Sequence, residues 1–178
     1  MSVDTWAMRP SDTPIDEVVA RMEPLLREAD GLTISGGEPF DQPEAVVDLL
    51  TAIRPRVTGD ILLFSGYRFD EIPDTAQAAL CCLDAIVCGP FIKERASDLP
   101  LRGSDNQELR PLTRLGLDRY SDLENRSTGK PRVDLIQTDG TLWFAGIPRP
   151  GDLDRLDAIL SAREMSFKTS AGTVGSRR

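Results

Sequence analysis

Three short apolar runs, each stopped by a glycine, constrain this chain more than any other feature. Leu32, Thr33 and Ile34 end at Ser35-Gly36-Gly37, Ile61 to Phe64 end at Ser65-Gly66-Tyr67, and Ala85 to Cys88 end at Gly89-Pro90. The runs recur roughly every 25 to 30 residues, with helical patterns between them. Strands of that length separated by helices are βαβ units, so they are expected to pair in parallel through right-handed crossovers.

The intervening patterns predict the helices. Thr13 reads as an N-cap with Pro14 at the first helical position and Asp16 after it, and Ile15, Val18, Val19, Met22, Leu25 and Leu26 form one apolar face. Pro24 inside that run is expected to kink or split the helix. Asp41 reads as the start of a second helix, with Glu44 in a capping box and Val46, Val47, Leu49, Leu50 and Ile53 facing inward. A shorter helix is expected around Thr75 to Leu80. From Ser97 to Tyr120 the periodicity fades and no element is predicted. Val133 to Gln137 and Leu142 to Ala145, joined through Asp139-Gly140, read as a hairpin. Leu153, Leu156, Ile159 and Leu160 mark a last helix, and residues 168–178 read as a disordered tail.

Composition bounds the function. The 178 residues fit one α/β domain, taken as 1–167 with a hairpin and helix at 131–164. No histidine is present, which excludes Ser-His-Asp and Cys-His catalysis, histidine-ligated zinc and any imidazole base. A net charge of −8 repels polyphosphate, so no nucleic-acid partner is expected. No apolar run approaches a membrane span and no signal peptide is evident, which predicts a cytoplasmic protein without a membrane partner.

Parallel α/β sheets bind ligands beyond the carboxyl ends of their strands, so the residues after each run carry the information. Gly36 and Gly37 let a ligand approach the backbone, and Glu38 sets a carboxylate beside them. A phosphate loop offers N–H donors and a lysine, whereas this arrangement suits an ammonium or sulfonium cation. The plainer alternative is a strand-to-helix turn in which Glu38 serves the next helix. Asp152, Asp154 and Asp157 read as a solvated helix start, and Trp143 and Trp6 as packing.

The stretch GLTISGGEPFDQPEAVVDLL, followed in order by ILLFSGY, IVCGPFIKE and RGSDNQEL, resembles the radical S-adenosylmethionine enzymes. The similarity is to the small activating-enzyme branch that installs glycyl radicals, such as the anaerobic ribonucleotide reductase activase, and it covers about residues 2 to 110. It implies an open, partial parallel β/α barrel with a C-terminal hairpin and helix. It also implies reductive cleavage of S-adenosylmethionine at a 4Fe-4S cluster, giving a 5′-deoxyadenosyl radical for a glycyl-radical-type partner protein, with an electron donor. Carried over residue by residue, Gly36, Gly37 and Glu38 hold the amino group of S-adenosylmethionine, Pro39 shapes the turn, and Ser65 touches the methionine part.

Two departures stand out. The family holds its cluster with Cys-x3-Cys-x2-Cys before the first helix, and the cysteines here are Cys81, Cys82 and Cys88. Aligned on Thr5-Trp6, Met1 falls directly after the place of the last cluster cysteine, and the resemblance thus implies a place beside the cluster loop for Trp6 as the alternative to packing. A start codon assigned at an internal methionine and a genuine loss of the cluster both predict this, the intact remaining motifs favouring the first. Cys81, Cys82 and Cys88 have spacing that fits no common iron–sulfur loop and read as structural thiols. Cys88 also replaces the family's Asp before Gly-Pro-Phe. The chain by itself is therefore expected to be inactive, and the alternative is a non-catalytic protein that binds a small ligand or a partner on the same scaffold.

Overall fold

The structure is a computed structural model and describes residues 13–123, 126, 133–138, 141–146 and 151–163. It divides into two compact units, one spanning Arg9–Ser127 and the other taking in the C-terminal hairpin and helix.

In the first unit the order is α1 (Ile15–Leu26), β1 (Gly31–Ile34), α2 (Pro43–Ile53), β2 (Asp60–Ser65), α3 (Gln77–Leu80), β3 (Ala85–Cys88), β4 (Glu108–Pro111) and α4 (Arg114–Tyr120). The sheet order is β1-β2-β3-β4. β1, β2 and β3 pair in parallel, with Ile34 opposite Leu63 and Ser65 opposite Cys88, as their apolar runs predict. β4 runs antiparallel to β3, pairing Cys88 with Glu108, so the sheet is mixed.

Both faces of the sheet are covered, which is why the inner strands read as continuous apolar runs. On one face Val19 and Leu26 of α1 and Val46, Leu50 and Ile53 of α2 pack with Ile61, Leu63 and Ile86. On the other, Tyr120 of α4 packs with Leu62, Ala85, Val87 and Leu109. Each such aliphatic side chain stabilises the fold by about 1.5–3 kcal/mol when fully buried.

The structure corrects the sequence reading at several places. α1 is capped by Pro14 rather than Thr13, with no side-chain cap. Pro24 does not split it: the helix runs on to Leu26, because a proline in the last turn removes one N–H but lies too late to interrupt the ladder. Leu25 leaves the buried face and is 71% exposed, since the 3.6-residue period puts Val19, Met22 and Leu26 inward. Asp41 does not open α2, which starts at Pro43 behind Gln42; Asp41 instead closes a 3-10 turn, Pro39–Asp41.

The stretch without predicted elements contains β4 and α4. Only Leu109 of β4 is buried, flanked by exposed Glu108 and Arg110, so an edge strand with one core residue leaves almost no periodic signal. Within α4, Gly116 and Tyr120 are the buried residues while Leu115 and Leu117 are exposed, so its apolar residues do not mark its inner face.

The second unit contains β5 (Val133–Thr138) paired antiparallel with β6 (Thr141–Gly146), and α5 (Asp152–Ser161). The hairpin and the helix fall where the sequence puts them. The Asp139-Gly140 turn, Trp6 and the 168–178 tail lie outside the described residues, as does the side chain of Trp143. No helix among the described residues is long and apolar enough to cross a membrane.

Candidate functional site

The parallel register brings the ends of β1, β2 and β3 to one edge of the sheet. Gly36, at the end of β1, has φ +110°, a conformation that a side chain would strain, and both Gly36 and Gly37 are exposed. The chain then turns through Glu38 into the Pro39–Asp41 3-10 turn, where Glu38 Oε1 accepts the Phe40 N–H at 3.0 Å. Phe40 itself is buried, which anchors the turn from below.

Glu38 reaches across to β2. Its Oε1 also accepts the Ser65 hydroxyl at 2.8 Å, and its Oε2 accepts the Gly66 N–H at 2.6 Å. Ser65, buried, accepts the Tyr67 N–H at 3.0 Å in turn. Four of the sequence-derived positions therefore form one shelf: Gly36 and Gly37 as its open lip, Glu38 as a strap, and Ser65 as the strap's partner. Pro39 starts the turn that fixes Glu38. Glu38 serves the following turn, as the plainer reading of it expects, and it also ties two strand ends together, a role the sequence did not suggest. A carboxylate has about four acceptor directions, so three internal donors leave one for an incoming cation.

The sequence reading missed several parts of this edge. Asp41 accepts the Tyr67 hydroxyl at 3.0 Å, and that bond to a carboxylate pushes the phenol pKa above its ordinary value. Gly89 donates to the Tyr67 carbonyl at 2.7 Å, joining the third strand end to the second. Gln107 and Asn106 clamp the segment after β3: Gln107 Nε2 donates to the Gly89 carbonyl at 2.9 Å and Asn106 Nδ2 to the Pro90 carbonyl at 2.7 Å. Gln107 Oε1 accepts from Gly103 and Ser104, and Ser104 Oγ accepts the Ile92 N–H. The CGPF and GSDNQ segments, separate in the chain, are two halves of one lock.

Beside the shelf lies a groove of about 490 Å³ between the loop after β2 and the edge strand β4, with Cys88 and Gly89 in its wall. Burial, and then Glu108, raise the Cys88 thiol to about 11 against the weaker pull of Arg110, so it is neutral at physiological pH.

The cysteines are not arranged as an iron–sulfur site. Cys81 is exposed just after α3, Cys82 is half-buried, and Cys88 is buried in β3. No group of three or more Cys, Asp or Glu side chains among the described residues is placed to hold a metal ion. These residues do not fit a 4Fe-4S cluster.

Residues 2–110 match the family described as the 4Fe-4S single cluster domain. The chain is similar to the anaerobic ribonucleoside-triphosphate reductase-activating protein of Vibrio cholerae, 32% identical over 117 residues that cover 61% of this chain and 76% of that protein. The protein of the same name in Haemophilus influenzae is 33% identical over 101 residues, 54% of this chain and 64% of that protein. That of Salmonella typhi is 29% identical over 98 residues, 52% and 62% respectively. The matched stretch thus spans less than two thirds of the latter two. No solved structure matches the chain.

Proposed function

Because the chain belongs to the 4Fe-4S single cluster domain family, we propose that it is a radical S-adenosylmethionine protein of the activating type whose partner is an anaerobic ribonucleotide reductase. In this reading S-adenosylmethionine docks on the shelf at the carboxyl edge of the sheet. Its ammonium takes the remaining acceptor direction of Glu38, its backbone-facing side lies against Gly36 and Gly37, and Ser65 offers its second lone pair to the methionine part. Pro39 holds the turn in place. The same reading takes the sheet as part of an open β/α barrel.

The observation that carries the proposal is the placement of Glu38. A half-buried carboxylate strapped across two parallel strand ends is fixed before any ligand arrives, so little ordering cost falls on binding. The chemistry of a family cluster has no counterpart in the cysteines described here, and no step is derived through one. We therefore propose that these residues bind the cofactor and that the chain by itself does not cleave it. The placement of the cysteines also favours a second reading, a non-catalytic binding protein on the same scaffold.

Calorimetric titration of the full chain with S-adenosylmethionine tests the shelf. Binding that weakens at least tenfold in Glu38→Gln supports it, and equal affinity in the two proteins removes it. Anaerobic treatment with iron and sulfide then tests the chain's own chemistry. No 5′-deoxyadenosine is expected, and its formation would show that these cysteines do support a cluster.

A further inference from the structure

Gln107 has no part in the cofactor reading, yet a run of hydrogen bonds leads from its side chain to Glu38. Its Oε1 accepts the Gly103 N–H at 2.7 Å and the Ser104 N–H at 3.2 Å, which fixes the face of the amide. The Nε2 end is thereby turned to the Gly89 carbonyl, to which it donates at 2.9 Å. Gly89 has φ +111° and follows Cys88, the last residue of β3 to pair with β2 and β4, so Gln107 holds a carbonyl just beyond the strand ladders.

On its other side the Gly89 N–H donates to the Tyr67 carbonyl at 2.7 Å. The Tyr67 N–H in turn donates to Ser65 Oγ at 3.0 Å. A hydroxyl carries one proton and two lone pairs. With one lone pair taken by the Tyr67 N–H, the Ser65 proton goes to Glu38 Oε1 at 2.8 Å. The setting of Glu38 therefore depends on where the loop after β2 sits, and that loop is tied to the third strand end through the residue that Gln107 holds.

We propose that Gln107 is a positioning residue for the S-adenosylmethionine shelf, setting Glu38 through Gly89, Tyr67 and Ser65 without itself touching the cofactor. This rests on the cofactor reading of the shelf. A binding group has to be held within about 0.5 Å of its productive place, and the hydrogen bonds behind it supply that restraint. The amide suits the task because it accepts from two N–H groups at one end and donates to a carbonyl at the other. A carboxylate of the same shape keeps the first function and loses the second.

The test pairs calorimetric titration of the full chain with S-adenosylmethionine and amide hydrogen exchange of the ligand-free chain, followed by NMR. Gln107→Glu keeps the acceptor for Gly103 and Ser104 and loses the donor to Gly89, whereas Gln107→Ala loses both and sets no charge against the carbonyl. Both variants are expected to bind about tenfold more weakly, with faster exchange at the Gly66 and Tyr67 N–H groups and unchanged exchange between β1 and β2. Arg95→Gln breaks only an exposed ion pair with Asp105 in the same loop, and its affinity is expected to stay within twofold of wild type. Affinity within twofold in both Gln107 variants overturns the proposal and leaves the shelf standing. Weaker binding with unchanged exchange at Gly66 and Tyr67 also overturns it, by making Gln107 a direct contact. An equal loss in Arg95→Gln overturns it by showing that any disturbance of the loop suffices. A wild-type chain that does not bind S-adenosylmethionine removes the cofactor reading, and this proposal with it.

Discussion

The two edges of the four-stranded sheet are built on opposite principles. At the carboxyl edge the backbone is open, the glycines are exposed, and Glu38 bridges two strand ends with one acceptor direction to spare. At the amino edge the buried carboxylates are fully engaged. Asp84, 5% exposed, accepts from Arg54 Nη1 at 2.7 Å, from Thr113 Oγ1 at 2.5 Å and from the Ile61 N–H at 2.9 Å. Asp60, 4% exposed, accepts the Tyr120 hydroxyl and pairs with Arg119 at 2.8 Å. Gly116 packs so closely on the Asp84 carbonyl, and Gly59 on that of Asp30, that a Cβ at either would collide with backbone. The difference separates stability from openness: buried carboxylates lock α4 to the sheet at one edge, and at the other a carboxylate with three internal donors keeps one acceptor direction free.

The largest effect is expected from breaking the lock. Asp84→Ala strands Arg54 and the Ile61 N–H, and removal of one partner of a buried ion pair costs about 3–5 kcal/mol. Urea denaturation is expected to show that loss, and a change under about 1 kcal/mol would mean the amino edge is not the anchor. The pH dependence follows from the same group. Burial alone would raise the Asp84 pKa, but the hydrogen bonds from Thr113, Ile61 and Arg54 outweigh it and hold it below its ordinary value. A lowered folded pKa means the carboxylate's contribution is present above the unfolded value, near 4, and is lost as pH falls through the folded value. Acid titration of stability is therefore expected to steepen below about pH 4 in the wild type and to flatten in Asp84→Asn.

Tyr120→Phe removes one buried hydrogen bond to a carboxylate and is expected to cost about 2 kcal/mol with no change in S-adenosylmethionine affinity. Burial, followed by the bond to Asp60, pushes that phenol far above its ordinary pKa, so it remains a donor across the working range. Glu38→Gln sharpens the contrast from the other side. It keeps the Ser65 and Phe40 donors within reach of an amide oxygen and is expected to lose about 1 kcal/mol of stability while losing most of the cofactor affinity. A stability loss as large as that of Asp84→Ala would make Glu38 a fold residue first. The smallest effect concerns the thiols: iodoacetamide is expected to label Cys81 at pH 8 and to reach Cys88 only as pH approaches its value of about 11, with intact-mass spectrometry as the readout.

Much of the carboxyl edge was legible in the sequence because its signals are local. Gly36, Gly37, Glu38 and Pro39 are consecutive, and Ser65 follows an apolar run that reads as a strand from its own residues. The amino edge was not legible, because its parts come from distant places: Asp84 meets Arg54 from thirty residues upstream and Thr113 from twenty-nine downstream. Asp41 shows how a correct local rule fails. Its type and its spacing to Glu44 fit a helix cap, yet Pro39 turns the chain first, and Asp41 ends as the acceptor for Tyr67.

The sequence by itself determined the three parallel strands, their helices, the hairpin and the glycine-rich edge, because alternation of short apolar runs with 3.6-residue periodicity depends only on neighbouring residues. Only the tertiary structure decided that β4 joins the sheet antiparallel, that Glu38 straps β1 to β2, that the CGPF and GSDNQ segments lock together beside a groove, and that Asp60 and Asp84 are buried yet satisfied. Those outcomes depend on which donors and acceptors meet across long separations, and a buried polar group is tolerated only where its partners arrive, a condition no local pattern records.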